Sequence, residues 1–492
     1  MTDVSARSEE PATTTPAAAE PRVDRRRWFG TLFMTDVWER FAFYTMQSLL
    51  VLFVAASSAQ GGFGMSTANA AALTGSWIGL TFMLGGPGGW VADRILGVRR
   101  AMQLGGGLIA LGHFAVAVPS PAVNMLGLVL VSVGAGLYKP NHQALINQMY
   151  DDESQREAGI SMLYMGTQLS ALVAPVVAGL VSQFAGFHPA FAVSGAVMVV
   201  GVVQFTLSQR RFGSVGIAPL RPLDAKERRT ARKWSWIGAV LLVLVVVLTV
   251  FGGLMALLSV YLLVSLVTPF LVYRSLYRQR TLGPADRKRL RAFTWVLGVW
   301  LVFFMIIAQG GSVILLFVDA HVNRDAFGFT IPTSWFTAVS PLFLVLLSPV
   351  FAWLLPRIRG GVPGKFAIAL LLGGLSFLMM AVPAAEAATG AQVSPVWALV
   401  LFFMHSCGEL LIISVAVAVV SEVLPPRYLS QMIGLLWLFA ALGGGLGSQI
   451  VLLAQALPAS VYFLSYGIFA TALAGLMALR RRSIVAGLAT PA

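Results

Sequence analysis

Five ionisable residues stand well inside otherwise apolar stretches of this sequence: Asp36, Glu39, Arg40, Lys139 and Glu409. Charge in a hydrocarbon setting is costly, so each needs a partner or a task. Three are acidic and two are basic, a near-balance that suits paired charges around a polar cavity. The plainer reading is a set of ion pairs that pin helices together, and it is strongest for Asp36, nearer the end of its apolar run. Asp36, Arg40 and Tyr44 are spaced i, i+4, i+8, so a helix stacks them on one face, with Glu39 and Phe43 beside it. A fixed guanidinium clamps a carboxylate through two parallel hydrogen bonds, and a nearby phenol hydroxyl orients it. That chemistry is recognition rather than bond cleavage. The sequence shows no zinc motif, nucleotide-binding loop or catalytic triad, so neither metal nor cofactor is expected and an enzyme is the poorest reading.

The elements that must hold these residues are membrane-spanning helices. Of 492 residues 57% are hydrophobic and only 11% are charged, whereas a soluble chain carries about twice that charge. Runs of about 20 apolar residues match the thickness of a bilayer, and a helix satisfies its own backbone there. Fourteen such spans are predicted: 29–56, 68–92, 101–118, 122–148, 157–184 and 189–209, then 234–252 and 255–274, then 291–318, 332–355, 364–384, 395–421, 428–455 and 458–479. The expected organisation is a disordered tail over 1–27, a six-span bundle over 28–209, and basic loops with a two-span hairpin over 210–290. A second six-span bundle over 291–482 and a loose tail over 483–492 follow. The hairpin is plain in composition and reads as peripheral and lipid-facing.

The net charge of +14 does not mark a nucleic-acid binder, because the basic residues lie in short clusters between apolar runs. All of the 34 lysines and arginines fall in segments on one side, save Arg324 on the other side and Arg40 and Lys139 inside spans. That asymmetry places both termini in the cytoplasm. The single cysteine, Cys407, can form no internal disulfide and reads as a small buried hydrophobe. Arginine far outnumbers lysine, which hints at a GC-rich genome and a bacterial cytoplasmic (inner) membrane.

Several stretches carry a resemblance. The first span reads Asp36-x-x-Glu39-Arg40-Phe41-x-Phe43-Tyr44, and the loop after the second reads Gly89-Trp90-Val91-Ala92-Asp93-Arg94-Ile95-Leu96-Gly97-Val98-Arg99-Arg100. Further on come Gly134-Ala135-Gly136-Leu137-Tyr138-Lys139-Pro140-Asn141, Tyr164-Met165-Gly166-Thr167-Gln168-Leu169 and Gly408-Glu409-Leu410-Leu411. Together these resemble the signatures of the proton-dependent oligopeptide transporter (POT/PTR) family of the major facilitator superfamily, whose first helix carries E-x-x-E-R-F-x-Y-Y. Asp36, Phe43 and Gln168 depart from the family's Glu, Tyr and Asn. The resemblance covers roughly residues 30 to 480. It implies an all-α membrane protein of the major facilitator fold, two six-helix bundles that rock about a midplane site, plus the inserted helix pair.

The resemblance also implies roles. Arg40 and Lys139 would face a peptide carboxylate and Glu409 its amino group. Tyr44, Asn141 and Gln168 would bond the peptide backbone, and Trp437 would line a side-chain pocket. Asp36, Glu39, Arg40, Lys139 and Glu409 would serve proton coupling and gating, with a Lys139–Glu409 pair closing the cytoplasmic gate. Asp93, Arg94, Arg99 and Arg100 would bridge helix ends and touch no substrate. The expected partners are small peptides, protons and the lipid bilayer. One departure bears on coupling: the family's seventh canonical helix carries a Glu before Gln, and here Ala308 precedes Gln309. Arg40 then lacks that partner, so Asp36 or Glu39 is expected to take its place. With Phe43 and Gln168, Ala308 also favours the alternative of a facilitator or exporter of another peptide-like or amino-acid-derived solute.

The remaining signals read as packing. The glycine runs 85–89 and 443–447 lack phosphate-loop spacing and suit close helix contact. His113, His142 and His405 fall in or beside spans and read first as packing residues, with a proton relay as the rival role.

Overall fold

A computed structural model describes residues 25–488 apart from 151, 225–226, 230–235, 237–242, 244–246, 248–253, 327, 359, 426–427 and 454–456. Almost every described segment between loops is helical. Among the described residues nine helices are long and apolar enough to cross a membrane. Of the expected tail over 1–27, residues 1–24 lie outside the described residues, as does the span 234–252 but for Trp236, Val243 and Val247.

The first half comprises α1 (Arg25–Ala55), α2 (Thr67–Met83), α3 (Gly85–Val91), α4 (Val98–Val116), α5 (Pro121–Met149), α6 (Glu153–Ala185) and α7 (Phe187–Leu207). A π-helical turn, Ala92–Leu96, extends α3, so α2 and α3 together cover the expected span 68–92. Helix α1 starts earlier than the expected bundle boundary because Trp28 and Leu32 are buried, Trp28 standing edge-on to Tyr150 at 4.9 Å. Helix α8 (Leu254–Tyr277) belongs to the central segment. The second half comprises α9 (Pro284–Gly310), α10 (Val313–His321), α11 (Phe336–Leu354), α12 (Gly361–Ala387), α13 (Val396–Val423), α14 (Leu429–Leu453) and α15 (Ala459–Leu488).

The span expected over 291–318 falls within one apolar stretch long enough to cross a membrane, Pro284–His321, and the chain breaks inside it at Gly310–Ser312, where the Ser312 hydroxyl donates back to the Ala308 carbonyl at 2.8 Å. Gly310 and Gly311, the signal for that break, are plain in the sequence. The tail expected over 483–492 is helical to Leu488, because Ile484 is buried and Gly487 lies close against Ala292.

Small residues set the closest packing. A Cβ on Gly88 would fall 2.0 Å from the Gly136 carbonyl oxygen. Along α4 and α5 the pairs Gly105/Gly134 and Gly112/Gly127 meet in the same way, each Cβ falling 2.6–2.7 Å from the partner's carbonyl oxygen. Backbones at this range exclude any side chain larger than hydrogen, the contact that dispersion favours where the hydrophobic effect is silent.

The two halves meet through α2 against α14 and α6 against α11. Their hydrogen bonds cluster at the end of the bundle remote from the termini. There the Ser334 hydroxyl donates to the Pro175 carbonyl at 3.0 Å, and the Trp335 indole to the Val176 carbonyl at 3.1 Å. Gly179 leaves room for Pro332, Ser334 and Trp335 to approach, and Gly75 does the same beneath Ser448.

Candidate functional site

Helix α1 places Asp36, Glu39 and Arg40 at its centre, with Asp36 and Glu39 buried to 5% and 1% exposure. The Arg40 Nε atom lies 3.5 Å from Asp36 Oδ1 and 3.7 Å from Glu39 Oε2. Helix α5 brings Lys139 to the same cluster, its Nζ 3.7 Å from Glu39 Oε1. The two acids and two bases therefore balance. None of Glu39 Oε1, Glu39 Oε2, Arg40 Nε and Lys139 Nζ makes a hydrogen bond. These ion pairs are long and buried, an arrangement in which attraction barely repays desolvation and a better-placed ligand can substitute.

Aromatic rings finish the Lys139 pocket. Its ammonium sits 3.3 Å from the centroid of the Phe43 ring and 5.3 Å from that of Phe82. Phe43 in turn stacks on Trp77 at 5.7 Å. The family-like Tyr would put a hydroxyl here, whereas Phe43 offers only a ring face, and a desolvated cation gains from that face.

One turn beyond Arg40, Tyr44 opens onto a cavity of about 270 Å³ between the halves, walled also by Gln168, Ala308, His405, Glu409 and Trp437. Glu409 and His405 are one turn apart on α13, and His405 Nε2 meets the Ser376 hydroxyl at 3.0 Å. Among the described residues Glu409 makes no ion pair, and Lys139 pairs with Glu39 rather than with Glu409. The Trp437 ring lies nearly parallel to Phe82 at 6.4 Å and edge-on to Trp300 and Phe304, forming an aromatic wall. Gln168 donates to the Tyr164 hydroxyl at 2.9 Å.

Not every expected residue faces this space. Asn141 is buried and donates to the Gly88 carbonyl at 3.2 Å and the Leu137 carbonyl at 2.7 Å. Both amide hydrogens are engaged, so it ties α3 to α5 and lies off the cavity wall; the Gly88–Gly136 approach brings that carbonyl within reach. Arg40 and Lys139 lie just beyond the wall, behind Tyr44 and Phe43. Sequence reasoning missed Thr167, which donates to Asp36 Oδ2 at 3.1 Å, and Phe82, which caps Lys139 and stacks on Trp437.

The loop residues act away from the cavity. Arg94 pairs with Glu227 at 2.6 Å, and Arg99 donates to the carbonyls of Gln209 at 3.2 Å and Gly213 at 2.8 Å. The Asp93 carbonyl accepts from the Arg221 backbone, and Arg100 is exposed. Arg94, Arg99 and the Asp93 carbonyl fasten the linker after α7 to the turn before α4.

The family model described as PTR2, POT family, matches residues 99–468. The chain belongs to the POT family. A di-/tripeptide transporter of Lactococcus lactis subsp. cremoris is 30% identical over 459 residues, 89% of this chain and 91% of that one. A solved structure of a mutant peptide transporter POT in complex with alafosfalin superposes with a TM-score of 0.87 at 30% identity, covering 93% of this chain and 95% of the other. A POT family transporter in complex with 5-aminolevulinic acid matches equally well, TM-score 0.87 at 25% identity over 93% and 96% of the two chains. This POT protein is thus a multi-pass membrane transporter of the major facilitator type, and not an enzyme.

Proposed function

We propose that this transporter imports di- and tripeptides by alternating access, driven by protons. The observation that carries this reading is the placing of opposite charges about the cavity: Arg40 and Lys139, held by long ion pairs to α1 acids, behind one wall, and Glu409, without an ion pair among the described residues, in another. A zwitterion with its carboxylate toward α1 and its amino group toward α13 spans that separation. Tyr44 and Gln168 offer hydrogen bonds between the ends, and the Trp437 wall suits an apolar side chain. The relatives named as di-/tripeptide and peptide transporters support the substrate class. The carboxylate competes with Asp36 and Glu39 for Arg40, so binding shifts the conformational balance by its differential affinity for the two states. The same reading takes fourteen helices with both termini cytoplasmic, in a bacterial inner membrane, with lipid and protons as partners.

A second reading is a facilitator or exporter of a peptide-like or amino-acid-derived solute. Ala308 favours it, because the cavity wall lacks an acid there, and so does the POT structure holding 5-aminolevulinic acid. The deciding test is dialanine transport in proteoliposomes, as counterflow without a gradient and as uptake under an imposed inward proton gradient. Concentrative uptake supports the symporter. Counterflow alone keeps the peptide site and removes the coupling, and neither signal removes the peptide.

A further inference from the structure

His142 is the one expected packing histidine whose ring reaches the charged face of α1. It lies on α5, less than a turn beyond Lys139, and is buried to 4% exposure. Its two nitrogens have different tasks. Nε2 is 2.9 Å from the Leu32 carbonyl oxygen, a group that only accepts, so Nε2 carries a hydrogen. Nδ1 is 3.5 Å from Asp36 Oδ1. A neutral ring that donates from Nε2 turns the Nδ1 lone pair toward that carboxylate oxygen, an unfavourable contact in a buried setting. One additional proton removes the conflict, either on Nδ1, giving an imidazolium beside a carboxylate, or on Asp36 Oδ1, giving an acid that donates to Nδ1.

The same oxygen has a second neighbour. Asp36 Oδ1 is 3.5 Å from His142 Nδ1 and 3.5 Å from Arg40 Nε, while Oδ2 accepts from Thr167. Asp36 therefore stands between an imidazole, which can take up a proton, and a guanidinium, which always carries one. We propose that His142 and Asp36 together form a proton-binding site, and that its occupancy decides whether Arg40 is held by Asp36 or is free for the substrate carboxylate. The proposal rests on the proton-coupled peptide reading above and names the site for its proton, which Ala308 cannot supply.

The surrounding charges fit this task. From α1, Glu39 and Arg40 face the pair; from α5, Lys139 balances Glu39. Tyr138 stacks on the His142 ring at 5.8 Å and 11°, but its hydroxyl donates to the Thr35 carbonyl. Helix α6 contributes the neutral Thr167 hydroxyl, and Arg211 reaches only the Thr31 hydroxyl one turn away. With the proton bound, the imidazolium satisfies Asp36 and loosens its hold on Arg40. With the proton gone, His142 keeps its hydrogen on Nε2 and Asp36 remains a carboxylate whose sole cationic neighbour at this distance, among the described residues, is Arg40. Arg40 is then drawn back along α1 and the peptide carboxylate is released. The proton that leaves is the one that entered, so charge and atoms balance over the cycle.

The test compares wild type with His142→Gln, whose side-chain amide can still donate to the Leu32 carbonyl but takes up no proton. The expected result is weakened dialanine counterflow that no longer rises with acid, together with loss of accumulation under a proton gradient. Gradient-driven accumulation by His142→Gln with an unchanged pH profile overturns the proposal while leaving coupling intact. Wild type that exchanges dialanine but ignores the gradient overturns coupling and this site together. If wild type exchanges no dialanine, the peptide reading falls and the site is decided without substrate, by nitrogen NMR of histidine-labelled protein. A doubly protonated ring that disappears in His142→Gln supports the site. Ring-nitrogen shifts of His142 that stay constant from about pH 5 to about pH 9, either side of the ordinary histidine range, overturn it, because a proton on either Nδ1 or Asp36 Oδ1 would move them.

Discussion

The Lys139 ammonium sits face-on to the Phe43 ring, 3.3 Å from its centroid, with Glu39 3.7 Å away on the same helix as the ring. The ring and the carboxylate together hold a buried cation at the edge of the cavity. A desolvated cation–π contact contributes about 2 kcal/mol. Phe43→Leu keeps the apolar bulk and removes the ring face, so the dialanine KM measured in proteoliposomes should rise by up to about thirtyfold. An unchanged KM would reduce Phe43 to packing.

Arg40 and Glu409 mark the two charged ends proposed for the substrate. Arg40→Ala and Glu409→Gln should each abolish dipeptide uptake without loss of membrane-inserted protein. Arg40→Lys should recover little, since a point charge replaces a two-pronged donor. Radiolabelled dialanine uptake beside quantified expression decides the matter, and normal uptake by either Arg40→Ala or Glu409→Gln would show that the charges do not bind substrate.

Ala308 lines the cavity near the break between α9 and α10. Ala308→Glu introduces an acid opposite Arg40's end of the cavity. Uptake by this variant should depend more steeply on acid outside than wild type does. The same pH profile in both would place coupling wholly elsewhere.

Gly75 meets Ser448 where α2 crosses α14, and a Cβ at Gly75 would fall 1.4 Å from the Ser448 hydroxyl. Overpacking of this kind costs about 1–3 kcal/mol. Gly75→Ala should slow counterflow by about tenfold by opposing the arrangement in which these helices touch. Gly75→Ala with Ser448→Gly should restore it, because the clash is pairwise. Two substitutions whose effects simply add would mean the helices adjust around the methyl.

How far these relationships are legible in sequence depends on their reach along the chain. Asp36, Glu39 and Arg40 stand out because charge is rare in apolar runs and helical spacing fixes their common face. The Lys139 partner is less visible: Glu39 lies on another helix, and no local pattern chooses it over Glu409. The place of Asn141 is hidden for the same reason, since its acceptor, the Gly88 carbonyl, arrives only through the α3–α5 approach. His142 read as a lone histidine because Asp36 and Leu32 are distant in sequence. The break at 310–312 was readable in Gly310 and Gly311, yet hydropathy averages over two residues and runs straight through it.

The glycine pairs between α4 and α5 carry a mechanical consequence. Where backbone rests on backbone there is no layer of side chains to change rotamer and absorb sliding, so these helices, with α3 clasped at Gly88, behave as a single stiff plank. Lys139 and His142 ride on that plank while Arg40 and Asp36 ride on α1. A small tilt of one against the other changes the Lys139–Glu39 and His142–Asp36 contacts together while the Arg40 pairs travel with α1, so the chemistry of the site and the posture of the bundle are two readings of one coordinate.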